Sequence, residues 1–266
     1  MSTTSFSPTV QAILAEFIPI CQQLAGDQRY AIAVSGSLGK GTWDSRSDVD
    51  FRLFTDQPLV RASQDPARWV DYQAAIKRWQ ERGVNIDGIW PRTVGEIDVA
   101  LAGWLRGEIQ PVNLVWTIWG YHILTDVHNQ FVLADPYGII ATWKAQLSNY
   151  PPALKQAILS KYGASLRYWR ADYHYAHKVE RGDVLFLAGI SAKLVHEIMQ
   201  ILFALNEIYY PGDGYNLRFV EKFTLVPPDF VARVQKILYP TGPDPFPTQY
   251  GALAALIDEV LALAKG

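Results

Sequence analysis

Two carboxylates, Asp48 and Asp50, flank Val49 where a polar stretch gives way to the run Phe51-Arg52-Leu53-Phe54. In an extended strand alternate side chains share a face, so both acids point the same way. Carboxylates paired in this manner can hold one or two Mg²⁺ ions that bridge a triphosphate. Upstream lies Gly36-Ser37, at the end of the apolar run Tyr30 to Val34. A glycine there lets the backbone approach phosphate oxygens, and the Ser37 hydroxyl, with N–H groups at a helix start, can donate to them. Commoner phosphate motifs fail on spacing. Gly39-Lys40 is followed by Gly41 rather than Ser or Thr, and the position five before Gly39 is Val34, so there is no Walker A loop. Gly36, Gly39 and Gly41 do not have the intervals of a dinucleotide fingerprint.

The order Gly-Ser, three residues, Gly41, six residues, then Asp48-Val49-Asp50 entering an apolar strand resembles the signature of the DNA polymerase β-like nucleotidyltransferase superfamily. The resemblance narrows to aminoglycoside-type and minimal nucleotidyltransferases with a C-terminal helical domain, through Ile123-Leu124-Thr125-Asp126 and Leu133 to Gly138. It implies transfer of a nucleoside monophosphate from an NTP, expected to be ATP, to a hydroxyl of a small-molecule acceptor, with Mg²⁺ as cofactor and pyrophosphate as leaving group. It assigns Gly36, Ser37 and Ser47 to the nucleotide and Asp48 and Asp50 to the metal.

The superfamily also uses a third carboxylate, shared with the metals and able to take the acceptor's proton. Asp98, Glu96 and Asp87 are the candidates, and Asp98 is favoured because it precedes Gly103-Trp104-Leu105-Arg106, which looks like the family's acidic residue before a Trp-x-Arg helix start. The adenylyltransferases of the group bring a lysine of the helical domain to the triphosphate. Lys193 is the best-placed equivalent, with Lys178 and Arg181 as rivals and an intrahelical pair with Glu197 as the structural alternative. Asp172, Glu180, Asp183, Glu197 and Glu207 could form an acidic wall for a polycationic acceptor. Two further readings stay open: an antitoxin-type nucleotidyltransferase acting on a protein or RNA, and a nucleotide-binding pseudoenzyme, which the intact Asp48 and Asp50 argue against.

These residues need a scaffold. Ser7-Pro8 reads as a helix cap followed by proline at the first helical position, and Val10, Ile13, Leu14, Phe17, Cys21 and Leu24 carry a helical stripe as far as Gly26, interrupted by Pro19. Tyr30 to Val34 and Val49 to Phe54 read as strands, Asp65 to Gly83 as a capped helix, Val84 to Trp90 as a strand, and Thr93 to Leu101 as strand or strand plus helix. Beyond Asp135-Pro136-Tyr137-Gly138 helical periods dominate, over Ala153 to His177, Asp183 to Tyr209, Pro228 to Leu238 and Gln249 to Lys265. The expected architecture is α/β (α+β): a nucleotidyltransferase domain with a mixed sheet over residues 1–140, then an all-α acceptor-binding domain over 141–266, with the site in the cleft between them.

Composition narrows the rest. A net charge of −2 gives no field to draw the chain onto a nucleic acid or an anionic membrane, so nucleic acid is an unexpected partner. The single cysteine, Cys21, excludes a disulfide within the chain and a thiolate metal cage. His174 and His177 have helical spacing but no further ligand, and the nine tryptophans, Trp43 included, read as packing residues. No run of about 18 apolar residues occurs and Met1 to Pro8 lacks the pattern of a secretion signal, so the expectation is a cytoplasmic protein with no membrane partner.

Overall fold

The Ser7 hydroxyl accepts the Val10 N–H at 3.3 Å and Pro8 takes the first helical position, starting α1 (Pro8–Ala25) as the sequence predicts. A computed structural model describes residues 6–214, 216–242 and 245–265. After α1 come β1 (Tyr30–Val34), α2 (Gly36–Lys40), β2 (Val49–Thr55), a 3₁₀ turn (Pro66–Trp69), α3 (Val70–Glu81), β3 (Ile86–Thr93) and α4 (Val94–Leu105). Next are α5 (Ile123–Asn129), β4 (Phe131–Ala134), α6 (Ile139–Gln146), α7 (Pro152–Ala171), α8 (Tyr173–Arg181), α9 (Val184–Leu205), α10 (Phe230–Leu238) and α11 (Pro245–Leu263).

The four strands form one mixed sheet in the order β3-β2-β1-β4. β1 pairs antiparallel with β2 and β4, whereas β2 and β3 run parallel. Parallel neighbours need a crossover, and α3 supplies it. Period-two alternation divides β2 between two environments. Val49, Phe51 and Leu53 join Ile32 and Val34 in a core closed by Phe17, Cys21 and Leu24 of α1 and by Ala75 and Trp79 of α3. Phe17 stacks on Phe51 with ring centroids 4.7 Å apart. The opposite parity of β2 carries Asp50, Arg52 and Phe54, and Trp143 of α6 packs edge-on against Phe54 at 4.9 Å.

The chain divides into two compact units, residues 1–102 with 123–149, and residues 103–122 with 150–266. The first contains the sheet and the second is helical, the α+β arrangement expected. Residues 103–122 pack with the helical unit, an excursion that the sequence pattern does not announce. Within that unit α9 is the central helix, with Leu194, Ile198, Ile201 and Leu202 fully or almost fully buried. Among the described residues α9 alone is long and apolar enough to cross a membrane by length and composition, and more than half of the qualifying window is buried inside the fold.

Three local details refine the sequence reading. Of the two readings of Thr93 to Leu101, strand plus helix is the one formed, because β3 ends at Thr93 and α4 follows at once, with the Glu96 carboxylate accepting the Thr93 N–H at 2.9 Å. The helix expected from Ala153 to His177 is two, because Asp172 leaves helical geometry and its side chain caps α8 through the Tyr175 N–H. The helix start expected at Gly36-Ser37 is present as the short helix α2.

Candidate active site

Gly36 holds the site together. Its φ of +56° lies in the left-handed region, and a Cβ there would sit 1.9 Å from Asp50 Oδ2. Only glycine therefore lets the turn from β1 into α2 press against the second carboxylate of the pair. The Ser35 N–H donates to the Asp50 carbonyl at 3.0 Å, and the Gly39 N–H returns to the Ser35 carbonyl at 2.9 Å. Gly39 has a packing reason of its own: a Cβ would meet the Asn129 carbonyl oxygen at 3.0 Å. Beside this turn the Ser37 Oγ is buried and has no hydrogen-bond partner.

Asp48 and Asp50 occupy the same parity, Asp48 just ahead of β2 and Asp50 within it. The Asp50 side chain is only 17% exposed. Burial pushes its carboxyl up to about 6, opposed by the charge of Arg52 and reinforced by those of Asp48, Asp87 and Asp126. Ser47 closes the preceding turn, its hydroxyl accepting the Asp44 N–H at 2.9 Å. A cavity of about 230 Å³ opens beside Asp48, walled by Val10, Ile13, Leu38 and Trp43 with Ser7 and Ser47 among its polar lining.

The three candidates for the third acid are placed differently. Val49 pairs with Ile86 and Asp50 with Gly88, so Asp87 is the extra residue at an irregularity in the β2/β3 ladder, directly across from the pair. Bulges of this kind re-aim a side chain, and they recur beside active sites. Asp98 lies on α4, exposed, with its Oδ1 accepting the Trp143 Nε1–H at 2.7 Å. Trp143 contacts Phe54, four residues along β2 from Asp50, or roughly 13 Å. Asp98 thus belongs at the far end of the strand, whereas Asp87 sits at the ladder irregularity beside the pair, near enough for its charge to act on Asp50. Glu96 is spent on capping α4.

In the helical unit the Lys193 ammonium donates to Glu197 Oε1 and, at 3.2 Å, to Ser165 Oγ, so the intrahelical pair is the one formed. Four members of the supposed acidic wall are likewise engaged. Asp172 caps α8, Asp183 caps α9 and binds Lys178, Glu197 holds Lys193, and Glu207 holds Lys155. His174 contacts Asp172 and stacks beside Tyr173, and Trp43 packs edge-on against Phe6.

The sequence reading passed over the partners of the opposite β2 face. Arg52, 7% exposed, donates from Nε to Asp126 Oδ2 at 2.9 Å and from an Nη to Asp126 Oδ1 at 3.3 Å. The Ser35 hydroxyl donates to the same Asp126 carboxylate. Parity was an available signal, because Arg52 continues the 48, 50 series within an apolar run.

Among the described residues no three His, Cys, Asp or Glu side chains already converge as a metal cage. Asp48 and Asp50 are the oxygen donors available to a hard cation, which would complete its shell with phosphate oxygens and water. The buried unpartnered Ser37 Oγ and the glycine cradle at Asp50 fit such a ligand. Residues 14–99, which include the whole Gly36 to Asp50 segment and Asp87, match the family described as a nucleotidyltransferase domain, and residues 116–215 match a domain of unknown function, DUF4037. No curated protein matches the chain. A nucleotidyltransferase domain over residues 14–99 followed by a second matched domain over 116–215 fits a polymerase β-like nucleotidyltransferase with a C-terminal domain.

Proposed function

We propose that this protein is a Mg²⁺-dependent enzyme that transfers the nucleoside monophosphate of an NTP, ATP by expectation, to a hydroxyl of a small-molecule acceptor. The carrying observation is the contact between Gly36 and the Asp50 carboxylate, which joins a phosphate-binding turn to a metal-binding pair. A divalent cation held there would neutralise charge on the triphosphate and on the pentacoordinate phosphorus of the transition state.

The chain's own residues divide the remaining work. Asp48 and Asp50 hold the cation. The Gly36-Ser37 turn binds the triphosphate, with Ser37 Oγ donating to a phosphate oxygen, while Ser47 keeps the Asp44 to Ser47 turn closed. The acceptor oxygen attacks the α-phosphorus in line, the bond from that phosphorus to the β-phosphate's bridging oxygen breaks, and pyrophosphate leaves. The acceptor's proton passes to a carboxylate, and Asp87 takes this role in place of Asp98, because it stands at the β2/β3 ladder irregularity beside the pair and its charge acts on Asp50. Lys193 stays outside the nucleotide set, its ammonium being matched by Glu197.

The test is pyrophosphate release from each of the four common NTPs, in Mg²⁺ and in EDTA, against acceptor panels of aminoglycosides and other polyols, proteins and RNA. Metal-dependent release with a hydroxyl acceptor is expected. Tight NTP binding that is equal in EDTA and in Mg²⁺ would refute the metal-bridged site, and modification of protein or RNA alone would refute the acceptor class.

A further inference from the structure

Among the described residues Asp126 is an acid that touches both halves of the site motif. It receives the Ser35 hydroxyl, from the residue that leads into Gly36-Ser37, and it receives two guanidinium nitrogens of Arg52, two positions after Asp50. Arg52 lies between two acids, since its remaining guanidinium nitrogen, Nη1, stands 3.8 Å from Asp50 Oδ1. The distances rank the two acids: the Asp126 contact is a forked hydrogen bond, whereas the Asp50 contact is a looser ion pair. Arg52 is held further by its own backbone, donating to the Phe51 carbonyl at 3.3 Å, and by Trp90, whose ring centre lies 4.8 Å from the guanidinium carbon.

A cation that binds Asp50 competes with any positive charge already paired to it. A buried arginine two residues along the same face would be such a competitor if nothing else balanced it. We infer that Asp126 is a positioning residue: it takes up the charge of Arg52 and anchors Ser35, so that the Asp50 carboxylate stays available to the metal and the Gly36 turn stays seated against it. The inference rests on the nucleotidyltransferase reading above and adds a residue to it. Asp126 itself touches neither substrate nor cation.

The experiment is a Mn²⁺ titration followed by electron paramagnetic resonance, with α,β-methylene-ATP present, on the full chain and on Asp126→Asn, Arg52→Gln and the double variant. Asp126→Asn keeps the shape and one acceptor oxygen but leaves the Arg52 charge to fall on Asp50, so Mn²⁺ affinity should drop about tenfold. Arg52→Gln removes the competitor and should bind Mn²⁺ as tightly as the unaltered protein or more tightly. The double variant should return to within about threefold of the unaltered protein, because no unbalanced charge remains. A purely structural role for Asp126 would not give this ordering, because the double variant would bind no better than Asp126→Asn.

Removing one partner of a buried pair risks unfolding the chain. If Asp126→Asn does not fold by circular dichroism, Arg52→Gln decides, and Mn²⁺ binding weaker than that of the unaltered protein overturns the inference. Unchanged Mn²⁺ affinity in a folded Asp126→Asn overturns it equally. Should the unaltered protein neither bind Mn²⁺ with the analogue nor release pyrophosphate from any NTP, the nucleotidyltransferase reading fails and takes this inference with it. Normal behaviour of the unaltered protein with no ordering among the variants removes only the role of Asp126.

Discussion

Gly36→Ala separates the cost of backbone strain from the cost of displacing a carboxylate. At φ +56° an alanine pays the left-handed penalty, about 1–2 kcal/mol. For a chain of this size that corresponds to a Tm lowered by about 2–8 °C. The second effect is geometric. The new methyl would lie 1.9 Å from Asp50 Oδ2 and 2.9 Å from Asp50 Cγ, so the carboxylate must rotate or the turn must lift, by more than an ångström in either case. Misplacing a reacting group by about 1 Å typically costs on the order of a hundredfold in rate. Turnover should therefore fall by about 10² or more while the fold survives, with metal-dependent NTP affinity reduced alongside it. Pyrophosphate release, NTP titration calorimetry and thermal melting read the three quantities. Gly36→Asn is the control, because asparagine tolerates the left-handed region better than alanine yet still carries a Cβ. It should recover part of the lost Tm and none of the lost activity. An alanine variant with near-normal turnover, or an asparagine variant that regains activity together with stability, would refute the argument that Gly36 is required by its closeness to Asp50.

Asp87→Asn should lower turnover by about 10²- to 10⁴-fold with NTP affinity largely kept, as for loss of a proton acceptor, and Asp98→Asn should leave turnover near normal; the reverse pattern in steady-state kinetics would restore Asp98. Asp48→Asn should depress NTP binding and turnover together, since the charge that holds the metal is used in both. The Asp50 carboxyl stands at about 6, above its ordinary value of 3.8, so the folded chain binds more protons than the unfolded one between those values and stability falls as pH rises through that window. Asp50→Asn should accordingly melt higher than the unaltered protein in EDTA above pH 6, by on the order of 2 kcal/mol, with the gain vanishing below about pH 4; a constant difference across pH would contradict this. Burial pushes the Cys21 thiol up to about 12, so it should resist a disulfide-exchange reagent at pH 8 until guanidinium unfolds the chain, and rapid native labelling would contradict the core placement of α1.

What could be read from the sequence followed from how local each feature is. The start of α1 depends on Ser7 and Pro8 alone, and β1 and β2 each follow from five to seven consecutive residues of suitable type. The glycine turn and the acid pair lie within one short segment, so their spacing is preserved in the fold. Asp87 is a candidate ranked below Asp98, because its relation to Asp50 is set by parallel pairing across a crossover helix and by a register irregularity, neither of which leaves a local trace. Arg52 and Asp126 are 74 positions apart, and only the sheet with α5 packed on it brings them together. Residues 103–122 join the helical unit for tertiary reasons of the same kind.

β2 explains why the core and the site could be read so unequally. Its Val49, Phe51 and Leu53 are fixed by burial against α1 and α3, and hydrophobic residues at alternate positions settle that face without help from other segments. The register so fixed leaves Asp50 and Arg52 no choice of face. It does not determine what stands opposite them, which depends on how β3 and α5 arrive. A charged residue on the covered side of a sheet is costly unless it is matched, so Arg52 requires an acid within reach. The fold provides two, one committed to Arg52 by a forked hydrogen bond and one kept at a looser distance. Burial alone would favour the neutral form of Asp50. The nearby guanidinium opposes that, and the acids at Asp48 and Asp87 reinforce it. On the proposed reading, a carboxylate poised between these influences would gain most from a divalent cation arriving with its own phosphate ligands, which would make the metal and the nucleotide a single binding event.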